Sequence, residues 1–452
     1  MIIIDRALAS RQREGSPISV AMVGAGAMGK AIALQLLTRT PGIELVAIAN
    51  RTLDNACDAF IAAGVQRDDI AVVESRHDLD RATEAGRRAV TTGWRLLCDF
   101  DRADALLEVT GAVEHGAHVV HRAIDRGRTV ITMNAELQGT VGPILRQHAD
   151  RAGVLLTDSD GDQPGVMMNL YRFVEGLGLR CVLLGNMKGL QDAYRNPTTQ
   201  EGFAKAHHLT PHMAASFADG TKMSFEMALV ANATGLRAGC LGLYGPPATS
   251  VYEAADLFSP HADQMLETGL VDYVVGAQPG PGVFALGYHD DPEQRRWLHL
   301  YKLGDGPFYT FYTPYHLCHL EVPNTIARAV IFRDPVVTPD AGHVVDVVAT
   351  AKRDLRAGER IDAIGWYTTY GQCENAVDAA AADHLPMGVA EGCTLRVDVP
   401  KDTVLSYSDV VLPEGRLIDR LRDEQRRAIP PAPPGSDRLS RRSVDGAPAA
   451  PR

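Results

Sequence analysis

Two lysines set among acids are the residues of this 452-residue sequence best suited to do chemistry. Lys222 has Asp219 three residues before it and Glu226 four after it. On a helix those spacings share one face. Lys188 lies in Asn186-Met-Lys188-Gly-Leu-Gln-Asp192. A desolvated lysine can polarise a carbonyl and deliver a proton. The charges near Lys222 are interleaved with Gly220, Thr221, Ser224 and Phe225. That context favours a site over an exposed ion-pair ladder of little worth. Asp160 and Asp162 flank Gly161. They could position substrate hydroxyls or hold a divalent cation such as Mg2+, although aspartate-rich turns also form for local hydrogen bonding alone. The catalytic candidates are therefore Lys188, Lys222, Asp219, Glu226 and Asp160. Asp162, Arg195 and His316 are the candidate substrate contacts, with Lys205 and Arg237 as further partners for a phosphate. His316 and His319 have H-x-x-H spacing. No third ligand is in view, so zinc is not expected and no metal-ligand set is assigned. The pair His207-His208 is expected to be exposed.

These residues need a scaffold, and its signal is near the start. Ile18-Ser-Val-Ala-Met-Val-Gly24-Ala-Gly26-Ala27-Met28-Gly29 reads as a buried strand, a glycine turn and the start of a helix. Gly24, Gly26 and Gly29 fit G-x-G-x-x-G, which predicts a dinucleotide whose pyrophosphate rests on the helix N-terminus. A second strand, Ile43 to Asn50, ends in Asn50-Arg51-Thr52. A carboxylate expected there for NAD is missing, and an arginine can pair with a 2′-phosphate, so NADP(H) is the expected cofactor. The strand pattern continues at Ile70–Val73, Leu106–Gly111, Thr129–Asn134 and Val154–Thr157, with a charged, mostly helical stretch over 53–104. Alternating strands and helices predict an α/β fold with a doubly wound parallel sheet. Ligands bind beyond the carboxyl ends of such strands, which adds Thr110, Gly111, Asn134 and Glu136 to the cofactor candidates.

Composition agrees with a soluble globular protein. Hydrophobic residues make up 45% and charged residues 22%. A net charge of −11 disfavours nucleic acid or an anionic membrane as partner. Seven scattered cysteines without C-x-x-C indicate reduced thiols rather than disulfides or zinc. The start Met1-Ile-Ile-Ile-Asp5-Arg6 is not that of a signal peptide, and no apolar run reaches a membrane span. A cytoplasmic location is expected. The expected division is 1–157 for the NADP-binding Rossmann unit, 158–335 for a less regular α+β catalytic and oligomerisation unit, and 343–415 for a small β-rich module. The proline-rich end, 429–452, is expected to be disordered.

The first half resembles the homoserine dehydrogenase family in its glycine loop, Glu108-Val-Thr-Gly111 and Val130-Ile-Thr-Met-Asn134. Residues 344–412 resemble a SAF domain through Leu355-x-x-Gly358 and Val399-Pro-Lys401-Asp-x-x-Leu405-x-x-x-Asp409-Val410. The combination is similar to the deoxyxylulose-phosphate reductoisomerase-like subfamily, as are Asp160–Gly165, Asn186–Thr199, Ser216–Glu226 and Pro314-Tyr-His316. One departure matters. Where homoserine dehydrogenases carry a functional lysine after Thr-Ala-Asn, this chain reads Asn134-Ala135-Glu136. The resemblance thus implies an NADP(H)-dependent oxidoreductase of a small hydroxylated carbonyl or sugar phosphate, of reductoisomerase type, working as a homodimer or higher homo-oligomer, and not a true homoserine dehydrogenase. A simple polyol or secondary-metabolite dehydrogenase and a non-catalytic sugar or redox-binding protein are the alternatives.

Overall fold

The computed structural model describes residues 4–207 and 209–431. His208 and residues 432–452, which hold most of the expected disordered tail, lie outside the described residues. Seven strands form the first sheet: β1 (Ile18–Val23), β2 (Ile43–Ala49), β3 (Ile70–Val72), β4 (Arg88–Thr91), β5 (Ala105–Glu108), β6 (Thr129–Thr132) and β7 (Leu156–Asp158). They pair in parallel in the order β3-β4-β2-β1-β5-β6-β7. The order reverses at β1, so the glycine turn after β1 opens onto the crevice where such sheets bind ligands. This is the doubly wound parallel sheet that the alternating pattern predicts. The mostly helical reading of 53–104 needs correction. Arg88-Ala-Val-Thr91 is a strand inserted between β2 and β3, with Ala89, Val90 and Thr91 buried. Its four residues are too few to show a period beside the charged helix Arg76–Glu84.

The second sheet contains β8 (Arg180–Lys188), β9 (Arg237–Ala238), β10 (Leu270–Val275), β11 (Val283–Tyr288) and β12 (Phe308–Thr313), in the order β12-β11-β8-β10-β9. β10 runs parallel to β8, and β11 runs antiparallel to it. β8 runs to Lys188, so Lys188 stands at the end of a strand. Over these elements lies the helix Thr221–Thr234. Apart from Lys222 and Ala233, all its residues are buried. A helix buried nearly all round is packed on all sides. The helix Ala135–Ala152 crosses it where Gly139 meets Phe225: a Cβ at Gly139 would lie 2.7 Å from the Phe225 ring.

The C-terminal module covers the same helix. β13 (Val345–Ala351) and β14 (Thr369–Asn375) pair antiparallel. Ser224 Oγ donates to the Gly371 carbonyl at 3.0 Å, and Gly371 N–H donates to Thr221 Oγ1 at 2.9 Å. A last helix, Leu417–Ala428, returns to the first unit. The Ala135–Ala152 helix is kinked at Val141, where the backbone leaves helical angles ahead of Pro143. The kink opens one helical bond, and both ends are satisfied from outside. Arg422 donates to the Thr140 carbonyl at 3.0 Å, and Ile144 N–H donates to Gln425 Oε1 at 3.2 Å. Among the described residues no helix is long and apolar enough to cross a membrane.

Candidate active site

Five elements deliver side chains to one point. Glu136 lies in the first turn of Ala135–Ala152, and Asp162 is the N-cap residue of the helix Gln163–Gly176. Acids are favoured at these positive helix ends. Lys222 and Glu226 are one turn apart on Thr221–Thr234, Lys188 and Asn186 end β8, and His316 and Cys318 enter the helix Cys318–Ala327. The helix crossing sets the first contact. Glu136 precedes Gly139 by three residues and Lys222 precedes Phe225 by three, so the close approach of Gly139 to Phe225 brings Glu136 to Lys222. Lys222 Nζ is 3.6 Å from Glu136 and 3.9 Å from Asp162. Asp162 is held in turn by its glycine. Gly161 has φ +81°, and a Cβ there would lie 2.8 Å from the Cys318 carbonyl, so only glycine lets this turn reach Cys318.

Hydrogen bonds complete the cluster. Asn186 donates to Glu226 at 3.0 Å. The Gln163 amide, oriented to satisfy both its groups, donates to Asp162 at 2.9 Å and to Glu226 at 3.3 Å, and accepts from His316 Nε2 at 3.1 Å. Burial, reinforced by Asp162, raises Glu226 to about 8. Burial opposes the charge on Lys222, but Glu136, Asp162 and Glu226 outweigh it and its pKa is raised. Lys188 goes the other way: burial lowers it more than Glu226 and Asp219 raise it. Among the described residues it has no ion-pair partner within 4.0 Å. Burial also lowers His316. Three groups shifted toward neutrality beside one lysine locked as a cation can move a proton and stabilise an oxyanion.

Several sequence candidates lie elsewhere. Asp219 does not share the face of Lys222, because the helix starts only at Thr221 and Asp219 ends the preceding one. It pairs with Lys352 at 2.7 Å, both side chains being buried, and accepts Thr221 N–H at 2.8 Å. Lys352 also donates to the carbonyls of Arg195 and Trp366. This buried pair fastens the C-terminal module to the start of the helix Thr221–Thr234. Lys352→Met should therefore cost about 3 kcal/mol in urea unfolding, since it strands a buried carboxylate; a loss under ~1 kcal/mol would refute that reading. Asp160 is turned away as well. It accepts from Asn169 at 2.7 Å and faces Arg328 at 3.5 Å, so Asp160 and Asp162 do not form a joint cation site. Arg195 is paired with Asp192 at 3.0 Å beside the C-terminal module. Arg237 is buried in β9, and Lys205 is exposed on the helix Pro197–Ala206. Asn186, Gln163 and Cys318 were not singled out in the sequence. Asn186 had a usable signal: on a strand it shares the face of Lys188, two residues on.

The glycine turn can receive a dinucleotide. Gly24 has φ +114°, and a Cβ on Gly29 would lie 2.4 Å from the Gly24 carbonyl. A Cβ on Gly26 would meet nothing within 4 Å, so a phosphate has room there. The helix Ala27–Thr38, which begins with Ala27, Met28 and Gly29, has no side-chain cap, leaving its first N–H groups for an anion. Asn50 Oδ1 accepts Ala25 N–H at 3.1 Å and so shapes the turn. Arg51 is exposed beyond β2. At the ends of β5 and β6, Thr110 N–H and Oγ1 donate to Glu108, while Gly111 takes φ +66°. Asn134 is correspondingly turned inward. It caps its helix and donates to Glu108 at 3.0 Å, so its part is to shape the loop. Glu136, placed with the cofactor candidates by sequence, faces Lys222 instead.

Comparison with known proteins follows the same three segments. Residues 24–156 match the family model of the homoserine dehydrogenase NAD binding domain, residues 161–322 that of the oxidoreductase DRL catalytic domain, and residues 346–411 that of the SAF domain. No curated protein matches. Among solved structures, a homoserine dehydrogenase from Thiobacillus denitrificans is 15% identical, with 86% of this chain and 97% of that one covered and a TM-score of 0.43. A probable dehydrogenase from Thermotoga maritima is 12% identical, with 72% and 92% covered and a TM-score of 0.40. A myo-inositol 2-dehydrogenase from Lactobacillus plantarum is 14% identical, with 72% and 93% covered and a TM-score of 0.37.

Proposed function

We propose that this NAD(P)-dependent oxidoreductase interconverts a small hydroxylated carbonyl compound and its alcohol, with NADP(H) as the preferred cofactor. The observation that carries the reading is Glu226, a buried carboxyl raised to about 8, one helical turn from a lysine held as a cation. Bound NAD(P)H would supply the hydride for reduction, and bound NAD(P)+ would accept it in the reverse direction. The glycine turn and the start of Ala27–Thr38 hold the pyrophosphate, and Arg51 takes the 2′-phosphate. Lys222 donates to the carbonyl oxygen and stabilises the alkoxide that forms. Glu226 then delivers the proton, held by Asn186 and Gln163, with Lys188 as the second group able to release one. Asp162 orients substrate hydroxyls. Residues 1–157 bind cofactor, 158–335 bind substrate and assemble the homo-oligomer, and 343–415 brace the catalytic helix.

A sugar-like substrate suits this cluster, since paired acids and lysines can bind vicinal hydroxyls. A phosphate is not required, because Arg195 and Arg237 are spent elsewhere. Oxidation of NADPH with a panel of C4 to C6 hydroxy-ketones and their phosphates tests the reading; no turnover with any member would sink it. The reductoisomerase form rests on the segment matching the oxidoreductase DRL catalytic domain. Product NMR decides it: a branched carbon chain supports it, and an unrearranged alcohol leaves a simple dehydrogenase.

Cofactor choice gives a separate prediction. NADPH should raise the melting temperature more than NADH at equal concentration, and Arg51→Ala should remove the difference. Equal shifts in the unaltered protein would refute the role of Arg51.

A further inference from the structure

Around Asp162 the Lys222 cluster has a second half, and the proton-transfer reading leaves its His316 and Cys318 unused. Asp162, His316 and Cys318 each offer one donor atom, and the three atoms lie within 4.8 Å of one another. Cys318 Sγ is 3.5 Å from His316 Nδ1 and 3.8 Å from Asp162 Oδ1. His319, the other member of the H-x-x-H pair, is not among them. We propose that Asp162, His316 and Cys318 bind one borderline-soft divalent cation, best matched by Zn2+, and that the bound ion grips a carbonyl or hydroxyl oxygen of the substrate.

Three features carry this inference. The first is the tautomer of His316. Its Nε2 donates to Gln163, which fixes the proton there and leaves the Nδ1 lone pair toward Cys318. That is the outer-shell arrangement that orients a ligating histidine. The second is backbone. The positive-φ turn at Gly161 is packed against Cys318, so the loop carrying Asp162 and the helix carrying Cys318 are held at fixed separation. The third is the donor set. One thiolate, one imidazole and one carboxylate suit zinc, whereas Mg2+ takes oxygen ligands. Three protein ligands leave a fourth position for substrate, as in catalytic zinc sites. Lys222 would repel the ion from 3.9 Å beyond Asp162, but Glu136 offsets that charge at 3.6 Å. An ion here would polarise the same oxygen that Lys222 stabilises, a role resting on the proposed oxidoreductase reading.

The test uses the full-length protein, stripped with a chelator and titrated with Zn2+, Mg2+ or Co2+. One Zn2+ per chain, no comparable Mg2+ uptake, and a thiolate-to-cobalt charge-transfer band with Co2+ are expected. Cys318→Ser should abolish the band, and Gln163→Ala should weaken Zn2+ binding by ~10- to 100-fold. Circular dichroism of the stripped variants confirms that they fold, and His316→Asn serves in place of Cys318→Ser if that variant does not. Less than stoichiometric zinc, or a cobalt band that survives Cys318→Ser, overturns the site. A stripped protein that turns over hydroxy-ketones at the full rate overturns the role of the ion and leaves the oxidoreductase reading standing.

Discussion

Lys222→Met is expected to lower kcat for carbonyl reduction by ~10³ at every pH between 6 and 7, below the titration of Glu226, the scale of losing one oxyanion donor. The flat pH dependence follows from the site. Lys222 sits 3.6 Å from Glu136 and 3.9 Å from Asp162, and with Glu226 they keep it charged well above neutrality. It therefore does not titrate in the working range, and its loss removes a fixed positive charge rather than an acid. Methionine keeps most of the volume, so the buried helix retains its packing. The glycine turn is a separate element, so the KM for NADPH should stay within about twofold, since only interactions specific to the transition state are removed. The readout is single-turnover oxidation of NADPH. A loss of less than tenfold would make Lys222 a counter-ion for its acids and nothing more.

That the lysine works with Glu136 could not be read from the chain. Local patterns carried the first sheet. The glycine turn, the alternation of strands and helices, and the strand-end residues Thr110 and Asn134 are all short-range signals, and the structure places them together. What failed were inferences about which charge meets which. Asp219 and Lys222 are three residues apart, yet a helix boundary at Gly220 separates them, and Asp219 meets Lys352 from the far end of the chain. Glu136 and Lys222 meet only because Gly139 lets two helices approach. Cys318 reaches Asp162 through a glycine whose requirement is tertiary. Residue type and spacing marked Lys222, Glu226, Asp162 and His316 as chemical, but partners far apart in the sequence are set by packing. The same holds for the last helix: Arg422 and Gln425 have no meaning in sequence until the kink at Val141 exposes a carbonyl and an N–H for them.

Glu226→Gln separates proton supply from charge stabilisation. Glu226 is buried among Asp162, Asn186 and Gln163, and its pKa is raised to about 8. Below that pH it carries the proton that reduction needs, so kcat for reduction should be level near pH 7 and fall through pH 8. Alcohol oxidation needs the carboxylate and should rise over the same interval. Glutamine keeps the volume of the side chain but cannot give up a proton. The variant should lose ~10²- to 10³-fold in kcat at pH 7 and show no inflection near 8 in either direction. Stability supplies an independent sign. A carboxyl of ordinary pKa about 4.5 when unfolded and about 8 when folded binds its proton more tightly in the native state. Its contribution is complete below the unfolded value and is lost as pH rises through the folded one. The melting temperature of the native protein should therefore fall from pH 5 to pH 9 relative to that of Glu226→Gln. An inflection near 8 that persists in the variant would show that Glu226 is not the proton donor.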